Sequence, residues 1–240
     1  MPEIHARYAA TAALDRITLE AALGLLSADE RARAERFAFS THRREYIAAH
    51  ALLRGALSEW HPMDPGEWRF VAGPGGKPQL ADAQASATQL SFNLTHTDGL
   101  VACAIGRGGR IGIDVEAIDR RTDTAALADR YFSPAERVAL ARAGDEQGRR
   151  FIEIWTLKEA FVKATGAGVT RALDAFSFAV DETFSVTFEP PPGESAALWQ
   201  FAMFAPLEPY RIAVAVNAET PDPCAITAAP FDLATLGAGR

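Results

Sequence analysis

The chain has 240 residues, of which 48% are hydrophobic and 23% are charged, ordinary proportions for a globular protein. Its formal net charge is −7, which argues against general nucleic-acid binding because such proteins usually carry a basic excess. Its two cysteines, Cys103 and Cys224, share no metal-binding spacing, and no disulfide framework is expected. The N-terminal residues lack the apolar stretch of a signal peptide, and no apolar run reaches the length of about 18 residues typical of a membrane span. We therefore expect a cytoplasmic protein without a membrane contact.

Two predicted helices begin with the same motif. Ser27 is followed three residues later by Glu30, and Ser133 by Glu136. In such a capping box the serine accepts a hydrogen bond from a first-turn amide, and the glutamate reaches back to the serine amide. The second motif follows the first by 106 residues, which suggests a repeated unit.

Other features keep nearly the same spacing. The helical stretch 44–58 maps onto 150–164, and the strand-like stretch 100–105 resembles 211–216 at a slightly longer offset. The pattern predicts an internal duplication, in which each half is a pair of helices followed by strands. The expected fold class is α+β, with two similar α/β halves in one chain.

The expected boundaries follow from this repeat. The N-terminal half spans 1–110 and the C-terminal half spans 111–220, with most of the candidate chemistry in the second. The tail, 221–240, alternates proline, alanine and other small residues, and we expect a loosely packed extension there.

A pair of carboxylates lies in a predicted strand at 111–116. Ile111, Ile113 and Val115 alternate with the other residues, so Asp114 and Glu116 leave the same face of the strand. Adjacent carboxylates repel unless a cation lies between them, and Mg²⁺ binds such groups together with water and phosphate oxygens. The alternative is a solvent-facing strand whose acids only keep the protein soluble.

A third carboxylate lies in the predicted helix around 155–166. Glu159 and Lys163 are four residues apart, so they are neighbours on one face, and Gly166 or Gly168 can end the helix. The apolar residues of the opposite stripe are Ile154, Leu157, Phe161 and Ala164. The alternative is a surface helix with an ordinary Glu–Lys pair; a metal role requires this helix to pack beside the strand that carries Asp114.

The remaining candidates are groups able to contact an anion. Thr95 and His96 end a strand-like stretch with a hydroxyl and an imidazole, and Lys77 is held between Gly76 and Pro78 without the spacing of a P-loop. The region 31–54 is locally basic and includes Arg44. Each of these features also has an ordinary structural explanation, such as a local turn or a solvated helix face.

Four motifs together resemble a known family. Lys77-Pro78, FNLTHT at 92–97, GIDVE at 112–116 and WTLKEAFVKATGAG at 155–168 follow the order and approximate spacing of the 4′-phosphopantetheinyl transferases. The resemblance is to the longer, two-halved type typified by the surfactin-synthetase activator, and it covers roughly residues 8–216. Thr95 and Thr97 stand where serine is usual, and both keep the hydroxyl.

The resemblance implies a fold and a set of roles. It implies a pseudo-dimer of two α/β halves, with coenzyme A in the cleft between them. Asp114, Glu116 and Glu159 would ligate Mg²⁺, or Mn²⁺, together with the coenzyme A pyrophosphate. Lys163 would contact phosphate near the reacting bond, and Glu159 is our choice for the base. The implied contacts to coenzyme A are Arg44, Lys77, Pro78, Thr95, His96, Asp114 and Lys163.

The implied reaction transfers 4′-phosphopantetheine from coenzyme A to a serine of an apo acyl or peptidyl carrier protein and releases 3′,5′-ADP. The expected partner is an acidic carrier, and the expected state is a monomer. Two alternatives remain open from the residues alone. One is a magnesium-dependent hydrolase of a nucleotide pyrophosphate, and the other is a non-catalytic module that binds coenzyme A.

Overall fold

The structure is a computed structural model that describes residues 3–12, 14–73, 76–166, 172–218 and 222–237. The helices are α1 (Arg16–Leu25), α2 (Ala28–Glu35), α3 (Ser40–Trp60), α4 (Asp82–Thr88), α5 (Thr124–Tyr131), α6 (Pro134–Ala141) and α7 (Gln147–Thr165). The strands are β1 (Glu3–Ala10), β2 (Phe70–Ala72), β3 (Pro78–Leu80), β4 (Leu90–Thr97), β5 (Leu100–Arg107), β6 (Arg110–Ala117), β7 (Ser177–Val180), β8 (Val186–Glu189), β9 (Trp199–Phe204), β10 (Tyr210–Asn217) and β11 (Ala225–Pro230).

The chain divides into two compact units. The N-terminal unit comprises Pro2–Gly108 together with Ala225–Arg240, and the C-terminal unit comprises Gly109–Cys224. The first boundary follows Gly108, two residues before the predicted one.

The N-terminal unit is a four-stranded sheet covered by the long helix α3. The strand order is β11-β1-β5-β4, in which β1 and β5 are antiparallel and β1 and β11 are parallel. Helix α3 packs on β5, and its residues Ile47, Leu52, Leu53 and Leu57 lie fully inside the core. This core explains why α3 persists without a side-chain cap, because most helix stability comes from packing an apolar face.

The expectation of a loosely packed C-terminal extension is wrong for residues 225–237. Strand β11 pairs with β1 from Glu3↔Ala225 to Tyr8↔Pro230, and the Phe231 amide donates to the Tyr8 carbonyl at 2.8 Å. Leu233 is buried. The small residues of the tail suit an edge strand, and their backbone groups satisfy the open side of β1.

The C-terminal unit places the long helix α7 against the sheet β6-β10-β9. Helix and strand approach closely because β6 has no side chain at Gly112: a Cβ added there would lie 1.9 Å from the Ala160 carbonyl oxygen. Helix α7 ends at Gly166 in the left-handed conformation (φ 71°), with its amide donating to the Val162 carbonyl. The other predicted terminus, Gly168, lies outside the described residues.

The prediction of two similar α/β halves is confirmed. The order β1-β5-β4 of one unit matches β6-β10-β9 of the other, with antiparallel pairing throughout. Both capping boxes are formed, at Ser27 with Glu30 and at Ser133 with Glu136. Among the helices of the described residues, none combines the length and apolarity needed to cross a membrane.

Candidate active site

Strand β6 and helix α7 bring an aspartate and a lysine together in the C-terminal unit. The Lys163 ammonium donates to Asp114 Oδ1 at 2.5 Å. Asp114 is 5% exposed, and Lys163 is half-buried. The contact between strand and helix, on which the sequence argument depended, is therefore present in the structure.

Glu116 lies on the same face of β6 and is charge-paired locally. The Arg120 guanidinium, four residues further along the chain, donates to Glu116 Oε1. Burial, followed by repulsion from the Asp114 carboxylate, raises the pKa of Glu116 to about 7. Arg120 and Lys163 act in the opposite direction without cancelling this effect.

Glu159 belongs to the same electrostatic cluster. Burial, and next the charge of Asp114, raise the pKa of Glu159 above its ordinary value, while Lys163 and Arg120 lower it. The cluster therefore contains three carboxylates and two cations that influence one another. Burial is the largest cause of both raised pKa values, and repulsion from the Asp114 carboxylate is the next.

The three acids do not form a ready-made metal cage. In the part of the chain that the structure describes, no group of three or more His, Cys, Asp or Glu side chains is arranged to hold a metal ion. Instead, Lys163 and Arg120 lie on the carboxylates. The donor set still fits a hard divalent cation, because carboxylate oxygens are its preferred ligands and added positive charge would relieve the repulsion between Asp114 and Glu116.

The N-terminal unit contains a pocket of about 630 Å³. Two predicted ligand contacts, Pro78 and His96, line it. Its walls also carry cations, aromatic rings and two acids, namely Arg33, Arg36, Arg54, His50, Tyr46, Trp68, Phe70, Asp29 and Glu30. Glu30 is paired with Arg54, so Arg33 and Arg36 are the arginines best able to meet an anion. Such a surface suits an anion attached to a planar ring.

The other predicted contacts of this unit are close in sequence to residues that line the pocket, but they do not line it themselves. Arg44 is half-buried on α3, and Lys77 is half-buried directly before β3. Thr95 is buried, since it alternates with the exposed His96 along β4. Pro74 and Gly75 of the preceding loop lie outside the described residues.

Several residues of these sites were not among those predicted from the sequence. Arg120 could have been found, because it follows Glu116 by four residues. Arg33, Tyr46 and His50 fell within the basic region already noted, yet nothing in their spacing indicated a pocket. The role of Gly112 depends on how closely α7 approaches β6, which the sequence does not encode locally.

Comparisons with known proteins identify the class. Residues 110–215 match the sequence model of the 4′-phosphopantetheinyl transferase superfamily, and residues 15–106 match the model described as 4′-phosphopantetheinyl transferase, N-terminal. The chain is 38% identical to 4′-phosphopantetheinyl transferase HetI from Nostoc sp., over 80% of this chain and 78% of that protein. It is 29% identical to a 4′-phosphopantetheinyl transferase from Bacillus subtilis, over 84% and 86% of the two chains. Sfp from Bacillus subtilis strain 168 is also 29% identical, over 72% and 75%.

The chain belongs to the 4′-phosphopantetheinyl transferase superfamily, in its longer two-part type. Its function is the transfer of the 4′-phosphopantetheine group from coenzyme A to an apo carrier protein. Enzymes of this family use coenzyme A as a substrate and depend on a divalent metal. The two alternatives, a pyrophosphate hydrolase and a non-catalytic binding module, are not favoured.

Proposed function

We propose that Asp114, Glu116 and Glu159 form the metal and pyrophosphate site of this transferase. The observation that carries the proposal is the electrostatic cluster on β6 and α7, in which Lys163 contacts Asp114 at 2.5 Å and the pKa of Glu116 is raised to about 7. Crowded, partly buried acids with raised pKa values are typical of functional sites, and a cation would relieve their mutual repulsion.

The metal is Mg²⁺, with Mn²⁺ as a substitute. Mg²⁺ accepts a few carboxylates and completes its coordination with water and phosphate oxygens, which matches an acidic site that receives a pyrophosphate. When bound, the metal supplies positive charge that neutralises the pyrophosphate. With that charge in place, the Lys163 ammonium would be able to contact a phosphate oxygen as well as Asp114.

Glu159 is the base and Lys163 the electrostatic stabiliser of the reaction. The carrier serine oxygen forms a bond to the phosphorus that bears the pantetheine arm, and the bond from that phosphorus to the bridging oxygen of the pyrophosphate breaks. 3′,5′-ADP leaves with the bridging oxygen. The serine proton passes to the Glu159 carboxylate, which lies one helical turn from Lys163 on α7, and Lys163 stabilises the charge on phosphate oxygens.

The N-terminal unit binds the nucleotide part of coenzyme A. The pocket lined by Pro78 and His96 supports this assignment, because its arginines suit phosphates and its rings suit a base. We assign Arg44, Lys77 and Thr95 to the same task.

The carrier protein is acidic around its modified serine, and the transferase acts on it as a monomer in the cytoplasm; these statements stay predictions.

Mass spectrometry of apo acyl and peptidyl carrier proteins after incubation with coenzyme A and Mg²⁺ tests the reaction. We expect each accepted carrier to gain the mass of one phosphopantetheine group, with release of an equal amount of 3′,5′-ADP. A parallel incubation without carrier separates transfer from hydrolysis, since a hydrolase would release 3′,5′-ADP from coenzyme A alone. A folded protein that modifies no carrier would contradict the proposal.

A further inference from the structure

A fully buried lysine lies beside the proposed base. Lys158 precedes Glu159 on α7 and has no solvent exposure. Its ammonium donates to the carbonyls of Leu173 and Phe176, each at 2.7 Å, and pairs with Glu136 Oε2 at 2.8 Å. Three acceptors therefore satisfy the three donors that a lysine ammonium carries.

The partner of this lysine is itself fixed by other elements. Glu136 is the glutamate of the capping box at the start of α6, where its Oε2 accepts from the Ser133 amide at 2.8 Å. Its Oε1 accepts from the Phe178 amide of β7 at 2.8 Å. One ion pair thus joins α7 to the start of α6, to β7 and to the segment at 173–176.

Lys158 and the proposed catalytic groups leave α7 in different directions. Lys163 reaches Asp114 on β6, whereas Lys158 reaches Glu136 of α6 and the Phe176 carbonyl just before β7. The helix is consequently held on one side by the close approach of Gly112 and on the other by the Lys158 ammonium. Rotation or sliding of α7 would break bonds on the Lys158 side while it displaced Glu159 and Lys163 relative to Asp114.

We propose that Lys158 is a positioning residue, which sets the rotation and register of α7 so that Glu159 and Lys163 meet the metal and phosphates. This inference rests on the proposed metal site. A buried charge is costly, and a well-packed apolar residue would usually serve stability equally well. A compact ammonium with three directed hydrogen bonds instead fixes one orientation of the helix.

The inference is tested without relying on turnover by titrating the protein with Mn²⁺ and measuring the bound fraction by electron paramagnetic resonance. We expect Lys158→Met to weaken Mn²⁺ binding by about 10- to 100-fold, as for other groups that orient metal ligands. The Mg²⁺ concentration for half-maximal turnover should rise in parallel. Glu136→Gln, which disturbs the same anchor from α6, should weaken Mn²⁺ binding in the same direction.

Arg150→Met is the matched control. Arg150 is a half-buried cation on α7 that pairs with Glu153 of the same helix at 3.1 Å and donates to the Val180 carbonyl of β7 at 2.9 Å, so its removal deletes another ion pair that ties this helix to β7. We expect it to lower the melting temperature as Lys158→Met does while leaving Mn²⁺ affinity near that of the wild type. Equal weakening of Mn²⁺ binding in both variants would reduce Lys158 to a general structural role and overturn the inference.

Different results would overturn the metal site and the positioning role of Lys158. A folded wild-type protein that binds no Mn²⁺, even with coenzyme A present, would overturn the proposed metal site. Wild-type binding together with unchanged Mn²⁺ affinity in folded Lys158→Met would overturn the positioning role alone. If Lys158→Met does not fold, Glu136→Gln decides, because unchanged Mn²⁺ affinity in that variant has the same meaning.

Discussion

The two units use the same helix position for opposite purposes. In the N-terminal unit, α3 carries Leu53 and Leu57, both fully buried. The residues 106 positions later on α7 are Glu159 and Lys163, which are half-buried beside the acids of β6. One copy of the repeated helix therefore completes an apolar core, and the other presents charged groups to a site.

This difference shows what the site costs. Burying a leucine side chain contributes about 1.5–3 kcal/mol, and partly burying a carboxylate next to another carboxylate is unfavourable. The C-terminal unit lacks this stabilisation at the helix position where the N-terminal unit has a buried leucine. Such exceptions to the rules of stable packing are typical of functional sites.

In both capping boxes the glutamate pairs with a buried cation of the long helix, but only the pair in the C-terminal unit adjoins the proposed site. Glu30 pairs with Arg54 of α3, which also donates to the Trp68 carbonyl at 2.6 Å. Glu136 pairs with Lys158 of α7, directly beside Glu159. Each unit thus ties its short capped helix to its long helix through a buried cation, and in the C-terminal unit this tie adjoins the proposed chemistry.

The largest effect is expected at Glu159, the charged residue that occupies the helix position of the buried Leu53. Glu159→Gln should lower kcat by about 10²–10⁴-fold, the usual contribution of a general base, measured as 3′,5′-ADP release with an apo carrier. The matched change Glu146→Gln, at an exposed residue just before α7, should leave kcat unchanged. Near-normal turnover of Glu159→Gln with metal binding intact would remove Glu159 from the role of base.

A second test compares glycines in tight surroundings in the two units. Gly112→Ala forces a Cβ against the Ala160 backbone carbonyl at 1.9 Å, and we expect a loss of at least about 1–3 kcal/mol in the free energy of unfolding. A Cβ added at Gly55 would lie 2.4 Å from the Phe231 ring. We expect Gly55→Ala to lose less free energy of unfolding than Gly112→Ala, because the Phe231 side chain is able to move whereas a backbone carbonyl in a helix is not.

Gly148→Ala is the control for that pair. It lies on α7 with nothing within 4 Å of an added Cβ, and it should be neutral or stabilising by about 0.4–1 kcal/mol. Urea unfolding of the three variants gives the comparison. A Gly112→Ala protein as stable as the Gly148→Ala protein would show that β6 and α7 are not in close contact.

The capping boxes predict a smaller difference. Ser27→Ala and Ser133→Ala each remove a helix cap, at a cost of about 0.5–2 kcal/mol. The loss should be greater at Ser133, because that box is buried whereas the box at Ser27 is part-buried. Thermal unfolding of both variants measures this; a greater loss at Ser27 would contradict the ranking.

The smallest effect concerns acid stability in the N-terminal unit. Burial lowers the pKa of His50 below its ordinary value of 6.5, so below that pH the unfolded chain binds a proton that the folded chain does not. The contribution of the neutral His50 to the free energy of unfolding is complete above pH 6.5. As the pH falls from 6.5 towards the pKa of His50 in the folded protein, this contribution is lost by at most about 1.4 kcal/mol per pH unit. His50→Gln should flatten this slope in urea unfolding between pH 5 and 7. An identical slope in wild type and variant would contradict it.

The regular elements were readable from the sequence because local patterns define them. The alternation around Asp114 predicted β6, and the stripe containing Leu157 and Phe161 predicted α7, whose end at Gly166 was also expected. The repeat of the capping boxes predicted the two similar halves. These features depend on neighbouring residues, and short-range patterns record them well.

The long-range features were not readable. Strand β11 pairs with β1, more than 200 residues earlier, and its small residues gave no strand pattern. The environment of Lys158 depends on carbonyls from 173–176 and on Glu136, which become neighbours only in the folded unit. The sequence suggested which acids share a site, but the placement of Arg120 and Lys163 on those acids required the structure.

The C-terminal strand also sets an order for the making of the protein. The sheet of the N-terminal unit includes β11, so this unit cannot be completed until the ribosome has released the residues around 225–237. All residues of the C-terminal unit have by then been synthesised, and domains generally fold as units during synthesis. The N-terminal unit, whose synthesis begins first, is therefore the last to complete its fold. The C-terminal unit, which carries the three acids, can fold ahead of it.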